Sequence, residues 1–254
     1  MEAMDPADRL EAAIDAALAA GRAAGYEHAR PEVLQRTNNV VVWLAPHPIV
    51  AKVGIRSNSR RLLQRESELC AELVALGSPV PTPWRDSPLH SEHGLRPGAG
   101  RYGDAELPVS LWRQVDTRGA APTPIETATL LRRVHEDLAR CDLTRLDEPL
   151  PSYLDALDGP EGADAAEFSE AGGGATTSVP LHGEPHSANV LATSRGPVLI
   201  DFEGACIGPV EWDLAIVAPE VAAAYAALPG DPVDLERLEV FRRLRAIQGA
   251  PSAG

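Results

Sequence analysis

The sequence of 254 residues is poor in three things that would each assign it to a class. It has no run of about 20 apolar residues, so nothing in it is expected to span a membrane. Its opening, MEAMDPADRL, carries acids where a secretion leader needs basic residues, and no apolar run follows, so the expected compartment is the cytoplasm. Cysteine is scarce: Cys70, Cys141 and Cys206 are odd in number and far apart, which argues against a disulfide framework or a metal cluster. Lysine is scarcer still. Lys52 is the single lysine among 23 basic residues, and it lies inside the strand-like apolar run PIVAKVGI at 48–55. An inward ammonium on a strand needs a partner charge; a snorkelling lysine on an edge strand is the plainer alternative.

What is present is ordinary in bulk. A 44% hydrophobic content in a chain of this length can bury a sizeable core, in one large domain or two lobes. The net charge of −14 disfavours nucleic acid and anionic membranes as partners and suits a cationic ligand. An acidic surface also simply keeps a protein soluble.

The chemistry gathers in residues 180–214, PLHGEPHSANVLATSRGPVLIDFEGACIGPVEWDL. The runs 190–192 and 197–200 are short and β-branched, which predicts two strands joined by the turn Ser194-Arg195-Gly196. Polar residues then fall at strand ends and on the loop before the first strand, a rigid setting for carboxylates and a carboxamide. His182 and His186, four apart with Glu184 between them, suggest a zinc hydrolase only if they share a helix. Gly183 and Pro185 argue against one there.

The order is His-x-Glu-x4-Asn, two strands, then Asp-Phe-Glu. Protein kinases carry His-x-Asp-x4-Asn and Asp-Phe-Gly in the same order. The segment is similar to the pattern HGDxHxxN…(I/L)D(F/W)E…GP…(W/Y)DLA of the aminoglycoside phosphotransferase family. The resemblance rests on His182-Gly183, His186, Asn189, Ile200-Asp201-Phe202-Glu203, Gly208-Pro209 and Trp212-Asp213-Leu214-Ala215. Glu184 stands where the family most often has Asp. The resemblance implies ATP and magnesium as cofactors, with Asn189 and Asp201 as metal ligands and Glu184 as the base receiving a proton from a substrate hydroxyl. It also implies that His182 ties the loop to the Asp201 strand and that Asp213 braces the loop backbone. Trp212 is expected only to pack, and His186 is assigned no chemistry.

Along the chain, residues 6–24 read as an amphipathic helix, free to pack on the small lobe or to serve as an oligomer contact. Strand-like segments follow at 40–44 and 49–53, with Pro46-His47-Pro48 as the turn. The loop 36–39, Arg-Thr-Asn-Asn, lacks the glycines a kinase uses over the phosphates. Asn38 and Asn39 are expected to form its turn, since Asn tolerates positive φ. Residues 59–76 place Leu62, Leu63, Leu69, Leu73 and Leu76 on one helical face, closed by Gly77 and Pro79. Arg65-Glu66 resembles the family's helix that pairs with the strand lysine, so Glu66 is the expected partner of Lys52, with Glu68 as its competitor. The stretch 90–104 reads as an exposed hairpin loop, and 107–115 as the strand entering a hinge. By resemblance the backbone of Arg113 and Val115 meets an adenine edge and Trp112 lines that pocket. Residues 123–142 carry Ile125, Ala128, Leu131, Val134, His135 and Leu138 at helical spacing; His135 is read as a packed structural histidine. A glycine-rich loop at 158–177, then helices at 221–228 and 233–247, complete the chain. Because little chain follows them, the acceptor pocket is expected to be small, completed by a second chain, or incomplete.

The fold expected is α+β and two-lobed, protein-kinase-like, with a small lobe of antiparallel sheet and one helix and a mainly helical large lobe. The boundaries expected are an N-terminal helix at 1–28, a nucleotide-binding lobe at 29–119 and a catalytic and acceptor-binding lobe at 120–254. The function expected is transfer of the ATP γ-phosphate to a hydroxyl of a small molecule, such as an aminoglycoside or other antibiotic. The competing expectation is a kinase-like chain that holds nucleotide without turnover.

Overall fold

The structure, a computed structural model, describes residues 6–84, 101–102, 105–156 and 177–248. The chain divides into two compact units, one formed by residues up to Val74 with Pro81–Val115, the other by Ala75–Val80 with the chain from Asp116 onward.

The first unit is built on an antiparallel sheet of β1 (Arg30–Arg36), β2 (Asn39–Ala45), β3 (Ile49–Gly54) and a later strand, Val109–Arg113, in that order. Helix α1 (Pro6–Ala23) lies on it, because Ala13, Ala16, Ala17 and Ala20 make a flat face that packs against Val40, Val42, Leu44, Ala51, Val53 and Leu111. The sequence left two roles open for this helix; the sheet is what it covers. Strand β1 was not foreseen. Every residue of RPEVLQR is exposed, so no alternation marks it, and a bulge between Val33 and Gln35 interrupts its pairing with β2. The turn that follows differs from expectation as well. Among the described residues only His28 and Asp201 are non-glycines with positive φ, so neither Asn38 nor Asn39 uses the left-handed region. With β1 ending at Arg36 and β2 starting at Asn39, only Thr37 and Asn38 lie between the strands, and Asn39 is buried in the ladder.

Helix α2 (Ser59–Ala75) buries Leu63, Leu69, Cys70 and Leu73 and stops at Gly77, whose φ of +76° suits a helix terminus. The expected loop at 90–104 falls almost wholly outside the described residues. Its far end is a two-residue pairing of β4 (Arg101–Tyr102) with β5 (Ala105–Glu106). Strand β6 (Val109–Arg113) then pairs with β3, setting Ser110 opposite Lys52.

In the second unit, α3 (Pro124–Leu138) starts with a capping box in which the Thr123 side chain accepts from the Glu126 N–H and Glu126 accepts from the Thr123 N–H. Its buried face runs through Ala128, Leu131, Val134, His135 and Leu138. Ile125 departs from the expected face and is 50% exposed, since it sits in the first turn before the packed part of the helix begins. The glycine-rich stretch expected at 158–177 lies outside the described residues but for its last one. Two strands that periodicity could not reveal, β7 (Val179–Leu181) and its antiparallel partner β10 (Cys206–Gly208), are three residues each. Between them, β8 (Val190–Thr193) and β9 (Gly196–Leu199) form the foreseen hairpin. Three helices close the unit: α4 (Glu211–Leu214), α5 (Pro219–Ala227) packed on α3, and α6 (Leu235–Gln248) packed on α4. Leu181, Cys206, Trp212, Phe241 and Leu244 form the core joining β7, β10, α4 and α6.

Candidate functional site

In the first unit Lys52 is nearly buried on β3, and its Nζ donates to Glu66 Oε2 on α2 at 2.8 Å. Glu66 is 3% exposed, so the pair is shielded from solvent. Glu68, the rival partner, accepts from Gln64 on its own helix at 3.0 Å. Of the residues expected to meet an adenine edge, Arg113 commits its backbone N–H to the Thr82 carbonyl at 2.9 Å. Trp112 is buried and its indole N–H donates to Ser110. Val115, half-buried, is the last residue of this unit.

In the second unit the hairpin does the positioning. Val190 pairs with Leu199, so the residues just outside that pair, Asn189 and Ile200, meet at its open end, where the Ile200 N–H donates to the Asn189 carbonyl at 2.9 Å. Asp201 follows directly, with φ 70° and ψ 63°. A non-glycine residue in that left-handed conformation costs about 1 kcal/mol or more and persists where surroundings impose it, often at functional sites. Asn189 is buried, and its Nδ2 donates to the Glu184 carbonyl at 2.9 Å. A carbonyl needs a donor, which fixes the amide's orientation and leaves Oδ1 for a cation. Asn189 Oδ1 and the Asp201 carboxylate are hard oxygen donors of the type magnesium takes while keeping several waters.

The loop 182–186 is held from within and from behind. His182 is fully buried; its Nε2 lies 2.9 Å from the Ile200 carbonyl and its Nδ1 accepts the Glu184 N–H at 3.2 Å. That pattern requires the neutral ring with its proton on Nε2, and burial agrees, pushing the His182 pKa down to about 4. Asp213, at the start of α4 and wholly buried, accepts the N–H of His182 at 2.9 Å and of Gly183 at 2.8 Å, while His135 Nε2 lies 2.9 Å from it. Burial alone would raise its carboxyl, but the hydrogen bonds from His135 and the Gly183 N–H more than offset it and hold Asp213 below the usual carboxylate range. His135, as read from the sequence, is structural: its Nδ1 is 2.9 Å from the Tyr225 hydroxyl.

Gly183 is irreplaceable on two counts. Its φ is +90°, and a Cβ there would sit 1.9 Å from the Gly204 carbonyl oxygen. A Cβ on Gly204 would in turn meet the Glu184 side chain at 3.2 Å. The two glycines therefore let the loop 182–186 lie against the turn after Asp201 backbone to backbone. Glu184 itself is exposed, and Pro185 after it is buried, so the carboxylate projects from an anchored loop. One contributor was missed by sequence reasoning: Arg245 on α6 donates through Nη2 to the Gly183 carbonyl and lies 3.7 Å over the Trp212 ring. Nothing in its neighbourhood along the chain marks it, because its partners lie far away in sequence.

The sequence matches the phosphotransferase enzyme family over residues 32–247. Comparison with curated proteins returns no match. The fold is shared with many solved structures, among them the following three. The streptomycin–ATP–APH(2")-IIa ternary complex aligns with a TM-score of 0.57 at 11% identity, covering 98% of this chain and 88% of that one. Choline kinase LicA from Streptococcus pneumoniae aligns with a TM-score of 0.57 at 13% identity, over 88% and 84%. Aminoglycoside phosphotransferase APH(3'')-Id from Streptomyces rimosus aligns with a TM-score of 0.56 at 17% identity, over 90% and 96%.

Proposed function

Since the chain belongs to the phosphotransferase enzyme family, we propose that it moves the γ-phosphoryl group of ATP to a hydroxyl of a small molecule. The observation that carries this reading is the set of three oxygen-bearing side chains, Glu184, Asn189 and Asp201, delivered by one hairpin and one braced loop. In the reaction the acceptor oxygen bonds to the γ-phosphorus, the bond to the β-bridging oxygen breaks, ADP leaves, and the hydroxyl proton passes to the Glu184 carboxylate. Asn189 and Asp201 are the residues that would hold magnesium. Bound there, the metal supplies charge neutralisation on the phosphate oxygens. The Lys52 ammonium, kept in place by Glu66, serves the α/β-phosphates, and the Arg113 carbonyl and Val115 N–H serve the adenine edge.

Phosphoryl transfer asks mainly for positioning, and misplacement near an ångström can cost about 10²-fold. Glu carries one methylene more than Asp, so the backbone beneath Glu184 must be set for the longer side chain. Pro185 helps by restricting Glu184 to extended angles. An acceptor with positive charge fits the net charge of −14. Aminoglycosides and other hydroxylated antibiotics or metabolites are the class to screen. The same composition speaks against nucleic acid as a partner. Among the described residues no helix is long and apolar enough to cross a membrane, and a cytoplasmic site of action suits an ATP-dependent reaction. The proposed division of labour is an N-terminal helix to residue 28, a nucleotide lobe over 29–119 and a catalytic and acceptor lobe from 120.

The test is thermal. Millimolar MgATP should raise the melting temperature by mass action, worth about 2.7 kcal/mol at a hundredfold excess over Kd, and Asp201→Ala should abolish the rise. A wild type whose melting temperature ignores MgATP overturns both this reading and the non-catalytic nucleotide-binding one. A screen of hydroxylated antibiotics and metabolites for ADP release above background then separates those two.

A further inference from the structure

The backbone of the loop carrying Glu184 is satisfied almost group by group. Asp213 takes the N–H of His182 and of Gly183, His182 Nδ1 takes the N–H of Glu184, and the Glu184 carbonyl receives both the His186 N–H and Asn189 Nδ2. The remaining group next to Glu184 is the Gly183 carbonyl. Its donor is the Arg245 guanidinium, reaching across 62 residues of sequence from the last turns of α6.

Arginine is a costly filler for that place. Its Nε is buried with no hydrogen-bond partner among the described residues. Burial lowers the guanidinium pKa, and the fields of Asp213 and Glu184 oppose that shift. A leucine or methionine would cover Trp212 without desolvating a charge. A basic residue in the last turn also suits the helix dipole, but that effect needs no contact with a distant loop. What arginine adds is a flat, directional donor: the ring of Trp212, 3.7 Å beneath, fixes its plane, and Nη2 is thereby aimed at Gly183.

We propose that Arg245 is a positioning residue for Glu184, locking the peptide plane between Gly183 and Glu184 and so setting where the carboxylate points. The inference rests on the phosphotransferase reading for what Glu184 does, and on geometry alone for what Arg245 holds. With Asp213 on the N–H side of Gly183 and Arg245 on its carbonyl side, the glycine cannot rotate. At its φ of +90° a Cβ would collide with the Gly204 carbonyl, so the position takes only glycine. The longer reach of Glu over Asp makes such a lock matter more, since each added bond magnifies a backbone tilt.

The experiment compares wild type, Arg245→Lys and Arg245→Met of the full chain by amide hydrogen exchange, with the MgATP-induced melting shift and steady-state ADP release measured alongside. Lysine keeps a donor without the planar stack; methionine keeps only the bulk. Exchange of the amides of His182, Gly183, Glu184 and His186 should rise in the order wild type, Lys, Met, reaching about tenfold, the size expected on losing one charge-assisted hydrogen bond. Helix α3 should keep its protection. The rate of ADP release should fall in the same order at unchanged KM for ATP, and the MgATP melting shift should persist. Equal exchange at 182–186 in wild type and Arg245→Lys overturns the proposal, and so does a loss spread evenly over the second unit, which marks simple packing. If Arg245→Met does not fold, the Lys variant decides by the same criterion. A wild type without any MgATP shift sinks the phosphotransferase reading while leaving the exchange comparison to judge Arg245.

Discussion

At the scale of single residues, the Lys52–Glu66 pair separates stability from function. Each side chain is almost wholly withdrawn from water, 10% and 4% exposed, so removing one partner breaks a buried ion pair. Glu66→Ala should cost roughly 3 kcal/mol in urea unfolding, whereas Lys52→Met with Glu66→Leu should recover most of that stability. The recovered double variant should no longer show an MgATP melting shift. A double variant that still responds to MgATP would take Lys52 out of nucleotide binding. Glu184→Gln makes the complementary test: the MgATP shift should survive and phosphate transfer should vanish, because the amide cannot receive the proton. Undiminished turnover in that variant removes the base role from Glu184. Lys52 and Glu184 could be picked out from sequence because their rarity and spacing are local facts. Arg245 could not, being one of many arginines and distinguished only by what it touches.

At the scale of elements, the site depends on a close approach of backbone between Gly183 and Gly204. Gly183→Ala would drive a Cβ into the Gly204 carbonyl in addition to straining φ. Gly77 has a comparable φ of +76° but open space where its Cβ would be. Gly77→Ala should therefore cost only the strain, about 1 kcal/mol, and leave activity alone. Gly183→Ala should cost well over 2 kcal/mol and abolish transfer. Chemical denaturation of both variants checks this, and similar losses in the two would mean the loop simply moves aside. The longer helices and the β8–β9 hairpin were readable because each buries one face and so imprints a period on the sequence, whereas α4, four residues all buried, shows no such period. Strands β1, β7 and β10 were not: the first is exposed on both faces, and the others are too short to show a period.

At the scale of the whole molecule, the buried neutral His182 makes stability depend on pH. Its pKa is about 4 in the folded chain against 6.5 in the free residue. Between those values the unfolded chain binds the proton and the native one does not, so native stability falls as pH drops through the window. The loss is roughly 3 kcal/mol once pH 4 is passed. Asp213, held below the usual carboxylate range, adds a further loss at more acid pH with the same sign. Urea unfolding at pH 7 and pH 4.5 should show the drop. The ring carbons of His182 followed by NMR should not titrate near 6.5, and a titration there would mean the ring is not the neutral acceptor for Glu184.

The sequence by itself determined which donors and acceptors the molecule has and how far apart they lie along the chain. Its one lysine in an apolar strand, its His-x-Glu-x4-Asn spacing and the acid after the second strand follow from composition and local period. The tertiary structure decided which of those atoms are already spent. Asn189 gives its nitrogen to the Glu184 carbonyl; Asp213 is consumed by loop amides 30 and 31 residues away; Arg245 is consumed by a carbonyl 62 residues away. The reason is that a hydrogen bond constrains position in space and carries no trace in sequence order, whereas burial of a face repeats every two or 3.6 residues and is written along the chain.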